Sequence, residues 1–175
     1  MLLIQFLLLI FFSLTPIYSN SFESNITVLM YHRFNSEKYL DTSISSKKFN
    51  EHINYLIENN IKILPLDNLT DILENNHKFS EKLVFITIDD AYKSFYEFGF
   101  PILKKNKIPF SIFVSSKYIS EDDKSDYVSW GMLKDMSENN GLILNHSTSH
   151  RSFLALTNEE LEKEVIQNQK KLTKI

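Results

Sequence analysis

The chain has 175 residues, 43% of them hydrophobic and 23% charged, with a formal net charge of -3. Such a length supports one domain with a sizeable core, and the composition is that of a globular protein, not a disordered one. The charges are interspersed without the basic stripe that a phosphate backbone demands, so no nucleic-acid partner is expected, and zero cysteines exclude disulfides, thiolate metal sites and a cysteine nucleophile together.

The chain opens on "LLIQFLLLIFF", apolar apart from Gln5, followed by "SLTPIYSN" with its helix breaker and small polar residues. A membrane span needs about 20 apolar residues, so this run is short for one. It reads as a secretory signal over residues 1–19, cleaved near Ser19. No Lys or Arg precedes the apolar run, which keeps an uncleaved anchor open as the alternative. The expected destination is the periplasm, cell envelope or extracellular space, with no stable membrane span after cleavage. Export without cysteines fits a bacterial envelope protein better than a disulfide-stapled domain.

Strand-like and helix-like patterns alternate from there on. "ITVLMYH" reads as a buried strand. "SKKFNEHINYLIENN" puts Phe49, Ile53, Leu56 and Ile57 on one helical face, with Ser46 as its cap. "IKILPL" is a short strand and "LDNLTDILENN" a short helix; "KLVFITI" is the next strand. "SFYEFGFPILKKN" is helical, bent at Gly99 and Pro101. Strand "PFSIFVSS", helix "VSWGMLKDMSENN" and strand "GLILN" follow. The last segment, "TNEELEKEVIQNQKKLTKI", opens with Thr157 and Glu160 at capping-box spacing. Strands separated by helices of this length predict βα units, a parallel sheet and an α/β fold. Five such units are visible, whereas a closed barrel has about seven or eight. The expectation is therefore a partial or distorted (β/α) barrel in one domain over residues 20–175, either open by design or a portion of a longer one.

Chemistry in parallel βα folds collects at the carboxyl ends of strands. Asp89 and Asp90 stand there, closing "LVFITIDD". One aspartate can cap the next helix, but a cap needs only one, and adjacent carboxylates repel unless a cation or proton offsets them. After another strand comes "NHSTSH", with His146 and His150 at i and i+4, a spacing that can converge on one ion or simply decorate a polar loop. Both motifs fall on the same face of the predicted sheet. Two histidines and one aspartate make a three-ligand set with a fourth position open for water, and the remaining aspartate can act as a base toward that water.

"TIDDAY" and "HSTSH" resemble the first two motifs of the polysaccharide deacetylases, carbohydrate esterase family four, written Thr-Phe-Asp-Asp-Gly and His-Ser/Thr-x-x-His. "VLMYHRF", "YEFGFPILKKNKIPFSIFV" and "LTNEELEKEV" agree, and the Tyr-His pair is most similar to the branch acting on poly-β-1,6-N-acetylglucosamine and related envelope glycans. The resemblance spans residues 26–175. It implies Asp89 as general base, and Asp90, His146 and His150 as ligands of a divalent metal, Zn2+ foremost, with Co2+ or Mn2+ able to occupy a similar site. Ser147 then braces the histidine loop, while His32 and Tyr92 are candidates for lining the sugar site. The implied substrate is a polysaccharide that loses acetate from its N-acetyl groups. Two other outcomes stay open at this point, a catalytically impaired glycan-binding module and a metallo-esterase acting on O-acetylated glycan. The oligomeric state is not legible. His52 and His77 read as surface residues, and Trp130 as core. Two departures stand out. The family's glycine after the aspartates is Ala91, which would cost about 1 kcal/mol if its φ is positive. Its later motifs, which supply an arginine, groove residues and a proton-donating histidine, have no counterpart before Ile175, so the resemblance implies the amino-terminal portion of such a domain.

Overall fold

The computed structural model describes residues 25–74, 81–122 and 124–175. The proposed signal over 1–19 and His77 lie outside them. Strand β1 (Ile26–Tyr31) leads to a short parallel pair, β2 (Arg33–Phe34) and β3 (Ser43–Ile44), which the hydrophobic pattern did not announce because each strand has only two residues. Helix α1 (Ser46–Glu58) follows, then β4 (Lys62–Ile63) and α2 (Asn68–Glu74). The cap of α1 is Ser45, not Ser46: Ser45 is extended and its side chain accepts from Lys48 N–H. Ser46 is instead the first helical residue, its own N–H taken by Asn35 Oδ1. Phe49, Ile53 and Leu56 are buried, each worth about 1.5–3 kcal/mol. Ile57, expected on that face, is 46% exposed.

Strand β5 (Leu83–Ile88) is buried at every position, because its neighbours and the helices cover both faces. The period of two sorts its side chains. Val84, Ile86 and Ile88 join the main core with Phe34, Phe49 and Phe95, while Leu83 and Phe85 pack with Ile72 on the other face. The next helical segment is irregular over Phe95–Gly99, where Phe100 N–H reaches back to Phe95 O, before α3 (Phe100–Asn106) begins with Pro101 in its first turn. Gly99 is required by proximity: a Cβ there would lie 2.6 Å from Phe95 Cδ2 and 2.8 Å from Phe34 Cζ. The chain continues through β6 (Phe110–Val114), α4 (Trp130–Ser137), β7 (Gly141–Asn145) and α5 (Asn158–Leu172). Helix α5 carries the expected capping box, Thr157 with Glu160.

The main sheet is parallel throughout, in the order β1-β5-β6-β7, with β4 pairing on β5. Among the described residues β1 and β7 do not pair with each other, giving the partial α/β barrel that the sequence predicts. Registers Tyr31↔Ile88 and Val114↔Asn145 bring the strand carboxyl ends to one level. His32, Asp89 and His146 therefore emerge at the same rim. Among the described residues no helix is long and apolar enough to cross a membrane.

Candidate metal centre

Asp89 N–H donates to Tyr31 O at 2.8 Å, extending the β1–β5 ladder by one step and holding Asp89 in line with the strand. The chain then turns through two successive left-handed residues, Asp90 (φ 68°) and Ala91 (φ 57°). This reversal aims the two carboxylates differently. It is held from the far side by the loop before α4, where Val128 N–H donates to Ala91 O and Lys93 N–H to Asp126 O. A left-handed alanine costs about 1–2 kcal/mol. Complete burial of its methyl, worth about 0.8 kcal/mol, offsets part of that.

The histidine loop is anchored as firmly. His146 N–H donates to Val114 O at 3.1 Å, and Ser115 Oγ donates to His146 O at 2.8 Å. Ser147 (φ 61°) gives its N–H to Asn145 Oδ1 and accepts His150 N–H on its hydroxyl, closing the turn that presents both imidazoles. Helix α5 supports the rest. Glu164 receives Ser149 N–H and Oγ on its carboxylate, and Thr148 N–H and Oγ1 on its backbone carbonyl. Burial alone would raise the Glu164 carboxyl, yet those hydrogen bonds outweigh it and hold the group below its ordinary value. Four of the eight positive-φ non-glycine residues described, Asp90, Ala91, Ser147 and His150, lie in these two segments. Such clustering of strained backbone marks a place held in shape by its surroundings for a purpose.

Between the segments three side chains converge. Asp90 Oδ1 lies 3.5 Å from His146 Nε2 and 3.4 Å from His150 Nε2, and one ligand atom from each residue falls within 4.8 Å of the others. Tetrahedral ligands at 2.0–2.1 Å from zinc stand about 3.3 Å apart, so two of the three separations are already at the spacing such an ion imposes. The donor types fit as well, two imidazole nitrogens and a carboxylate oxygen. The hydrogen bond with His146 holds the Asp90 carboxyl below its usual value despite burial, with His150 and Tyr92 adding to the effect. Asp89 goes the other way. Burial raises it, in spite of His146 and His32 nearby. The adjacent carboxylates are thus pushed in opposite directions, Asp90 by its hydrogen bonds and Asp89 by burial.

The other candidates occupy distinct places. His32 Nε2 is 3.9 Å from Asp89 Oδ2. Tyr92 stacks on Tyr127 with ring centroids 5.0 Å apart. His52 is half-buried, not a surface residue, and its Nδ1 meets the Tyr31 hydroxyl at 3.1 Å, while burial pushes that phenol up to about 12. Trp130 packs against the main core. Three positioning residues escape the motif reading altogether: Asn145, Glu164 and Asn168. Asn168 is fully buried and ties α5 to β6 and β7. Its legible signal was an asparagine at inward helical spacing with Leu161, Glu164 and Leu172.

The chain belongs to the polysaccharide deacetylase family, whose profile matches residues 76–175. Among curated relatives it is 28% identical to YxkH of Bacillus subtilis (strain 168), over 84% of this chain and 51% of that protein. It is also 28% identical to the poly-beta-1,6-N-acetyl-D-glucosamine N-deacetylase of Staphylococcus aureus, over 65% of this chain and 44% of that one. The solved Streptococcus pyogenes deacetylase PplD in complex with acetate shares the fold, with a TM-score of 0.76 at 20% identity, covering 85% of this chain and 68% of that structure. The chain spans about half the length of the curated relatives it matches.

Proposed function

We propose that this protein is a metal-dependent hydrolase that removes N-acetyl groups from an N-acetylated envelope or extracellular polysaccharide and releases acetate. The observation that carries the reading is the convergence of Asp90, His146 and His150 within 4.8 Å, with Asp89 beside them at the same strand end. Asp90, His146 and His150 would hold a divalent cation, Zn2+ by the chemistry of the donors, with Co2+ or Mn2+ as substitutes. A cation there supplies Lewis acidity toward the amide carbonyl and makes an attacking water more acidic.

The chain's own groups take the water's proton and hold the site in shape. Asp89, raised by burial, accepts the proton of the attacking water at its carboxylate. His32, whose Nε2 lies 3.9 Å from that carboxylate, lines the site beside it. Ser147 and Asn145 hold the two imidazoles in register. The reading of residues 1–19 as a secretory signal supports a substrate outside the cytoplasm. The S. aureus relative, named for poly-beta-1,6-N-acetyl-D-glucosamine, supports that class of substrate.

The test is acetate release from an N-acetylglucosamine oligomer by the zinc-loaded protein. Release should stop with a chelator and fall about 10²- to 10⁴-fold in Asp89→Asn, with metal binding retained. Metal-loaded protein that releases no acetate, or an Asp89→Asn variant of undiminished rate, defeats the proposal.

A further inference from the structure

The three convergent ligands come from strands that are not neighbours. Asp90 follows β5 and the two histidines follow β7, with β6 between them in the sheet. Pairing of β5 with β6 reaches Ile88 with Ile112, and that of β6 with β7 ends at Val114 with Asn145. The ligands stand beyond these last pairs, yet a site of this kind must be held to within about 0.5 Å.

The chain leaving β6 bonds to both metal-binding turns. At its start, Lys117 N–H donates to Thr148 O at 3.0 Å, and the Tyr118 hydroxyl donates to Ser149 O at 3.0 Å. At its end, Asp126 O receives Lys93 N–H at 2.8 Å, and Val128 N–H donates to Ala91 O at 3.1 Å. The two ends are also joined to each other. Ser120 N–H donates to Val128 O at 3.3 Å, and the Tyr118 ring stacks on Tyr127 at 5.0 Å between centroids. Tyr127 stacks in turn on Tyr92, two residues past Asp90, across an antiparallel bridge. Tyr118 thus touches both partners, with its ring on the stack that leads to the aspartate turn and its hydroxyl on the histidine loop.

Ring stacking alone would be packing; the hydroxyl singles Tyr118 out. It ends on the carbonyl of the residue before His150, whose own backbone is left-handed at φ 53°. The His150 side chain is 54% exposed, so little of the core holds its ring, and the backbone beneath it has to be fixed from elsewhere. Glu164 fixes Ser149 from α5, and Tyr118 fixes it from the segment bonded to the aspartate turn.

We propose that residues 115–120 and 125–128 clamp the two metal-binding turns together, with Tyr118 as the positioning residue that holds His150 at its distance from Asp90. The inference rests on the metal-dependent reading of the site and adds what sets the spacing of its ligands.

Tyr118→Phe tests it, because it keeps the ring and removes only the donor to Ser149 O. Zinc affinity by isothermal titration should fall about tenfold. The visible spectrum of the Co2+-loaded protein, which follows ligand geometry, should change, while the urea midpoint of the metal-free protein stays at the wild-type value. A purely structural tyrosine would lower that midpoint and leave the zinc affinity and Co2+ spectrum of the folded variant as in wild type; that result overturns the clamp, as does a variant unchanged in every respect. If midpoint and affinity fall together, the Co2+ spectrum of the folded variant decides, a changed spectrum upholding the clamp and an unchanged one overturning it. Wild-type protein that binds neither Zn2+ nor Co2+ defeats the metal reading and the clamp with it, whereas wild-type binding matched by Tyr118→Phe defeats the clamp alone.

Discussion

Replacing Asn168 with alanine tests whether α5 is what keeps the two imidazoles in place. The side chain is fully buried and makes three hydrogen bonds: Nδ2 donates to Val114 O at 2.7 Å and to Asn145 Oδ1 at 2.8 Å, and Oδ1 accepts Ser116 N–H at 2.9 Å. These bonds differ in consequence. Val114 O keeps His146 N–H, and Asn145 Oδ1 keeps Ser147 N–H. The buried Ser116 N–H loses its acceptor. An orphaned buried donor costs about 1–3 kcal/mol, and each bond lost from a group that keeps a partner about 0.5–1.5. The total is about 2–6 kcal/mol. At about 2–4 °C per kcal/mol for a chain of this size, a mid-range loss of about 4 kcal/mol lowers Tm by about 8–16 °C.

Thermal and urea unfolding measure that loss, and zinc titration of the folded variant should show affinity weakened about 10- to 100-fold, since Asn168 supports the loop through Asn145. Asn168→Asp sharpens the test. Its carboxylate would face two oxygens, so its folded pKa rises above the unfolded value of about 3.9. Its stability is then fully present below that pH and lost as the pH climbs through the folded pKa. A stability loss under about 1 kcal/mol in Asn168→Ala, or zinc affinity equal to wild type, refutes the bracing role.

Other perturbations address the remaining parts of the argument. His150→Ala should weaken zinc binding by at least about tenfold in isothermal titration while leaving the fold intact by circular dichroism, because its imidazole is 54% exposed and serves the cluster more than the core. Gly99→Ala forces a methyl against the buried Phe34 and Phe95 rings and should cost about 1–3 kcal/mol in urea unfolding; an unchanged midpoint would mean the rings are free to retreat. The Asp135 carboxyl is held below its ordinary value first by its hydrogen bond from Lys104, with Tyr96 assisting against burial. A depressed carboxylate contributes stability above its unfolded pKa and loses it as pH falls through the folded one. Asp135→Asn should therefore be less stable than wild type at pH 6, by no more than about 1 kcal/mol, and indistinguishable at pH 2 in guanidinium titrations.

The departures from expectation are local and share a cause. The cap of α1 moved by one residue because Asn35, eleven positions upstream, claims the Ser46 backbone. Ile57 turned outward because Leu56, Ile53 and Phe49 already fill the stripe facing β1. His52 acquired a role because Tyr31 needed a partner for its hydroxyl. Asn35 and Tyr31 lie outside the helix on which they act, so the pattern within that helix does not contain them. The run of planar groups in which Arg33 lies between the Tyr39 and Tyr92 rings, Tyr92 stacks on Tyr127 and Tyr127 on Tyr118 is the same kind of fact on a larger scale, drawing on four separate segments.

What the amino-acid order determined by itself was periodic or contiguous: the βα alternation, the capping box on α5, the fully apolar β5, and the two short motifs whose spacing marks the family. These follow from backbone geometry and from side chains only a few residues apart. Only the tertiary structure could set Asp90 at 3.4 Å from His150, place Asp89 at the same rim with its carboxylate 3.9 Å from His32, and recruit Asn168 beneath the loop. Distances between segments depend on strand register and helix packing, and those belong to the folded chain as a whole.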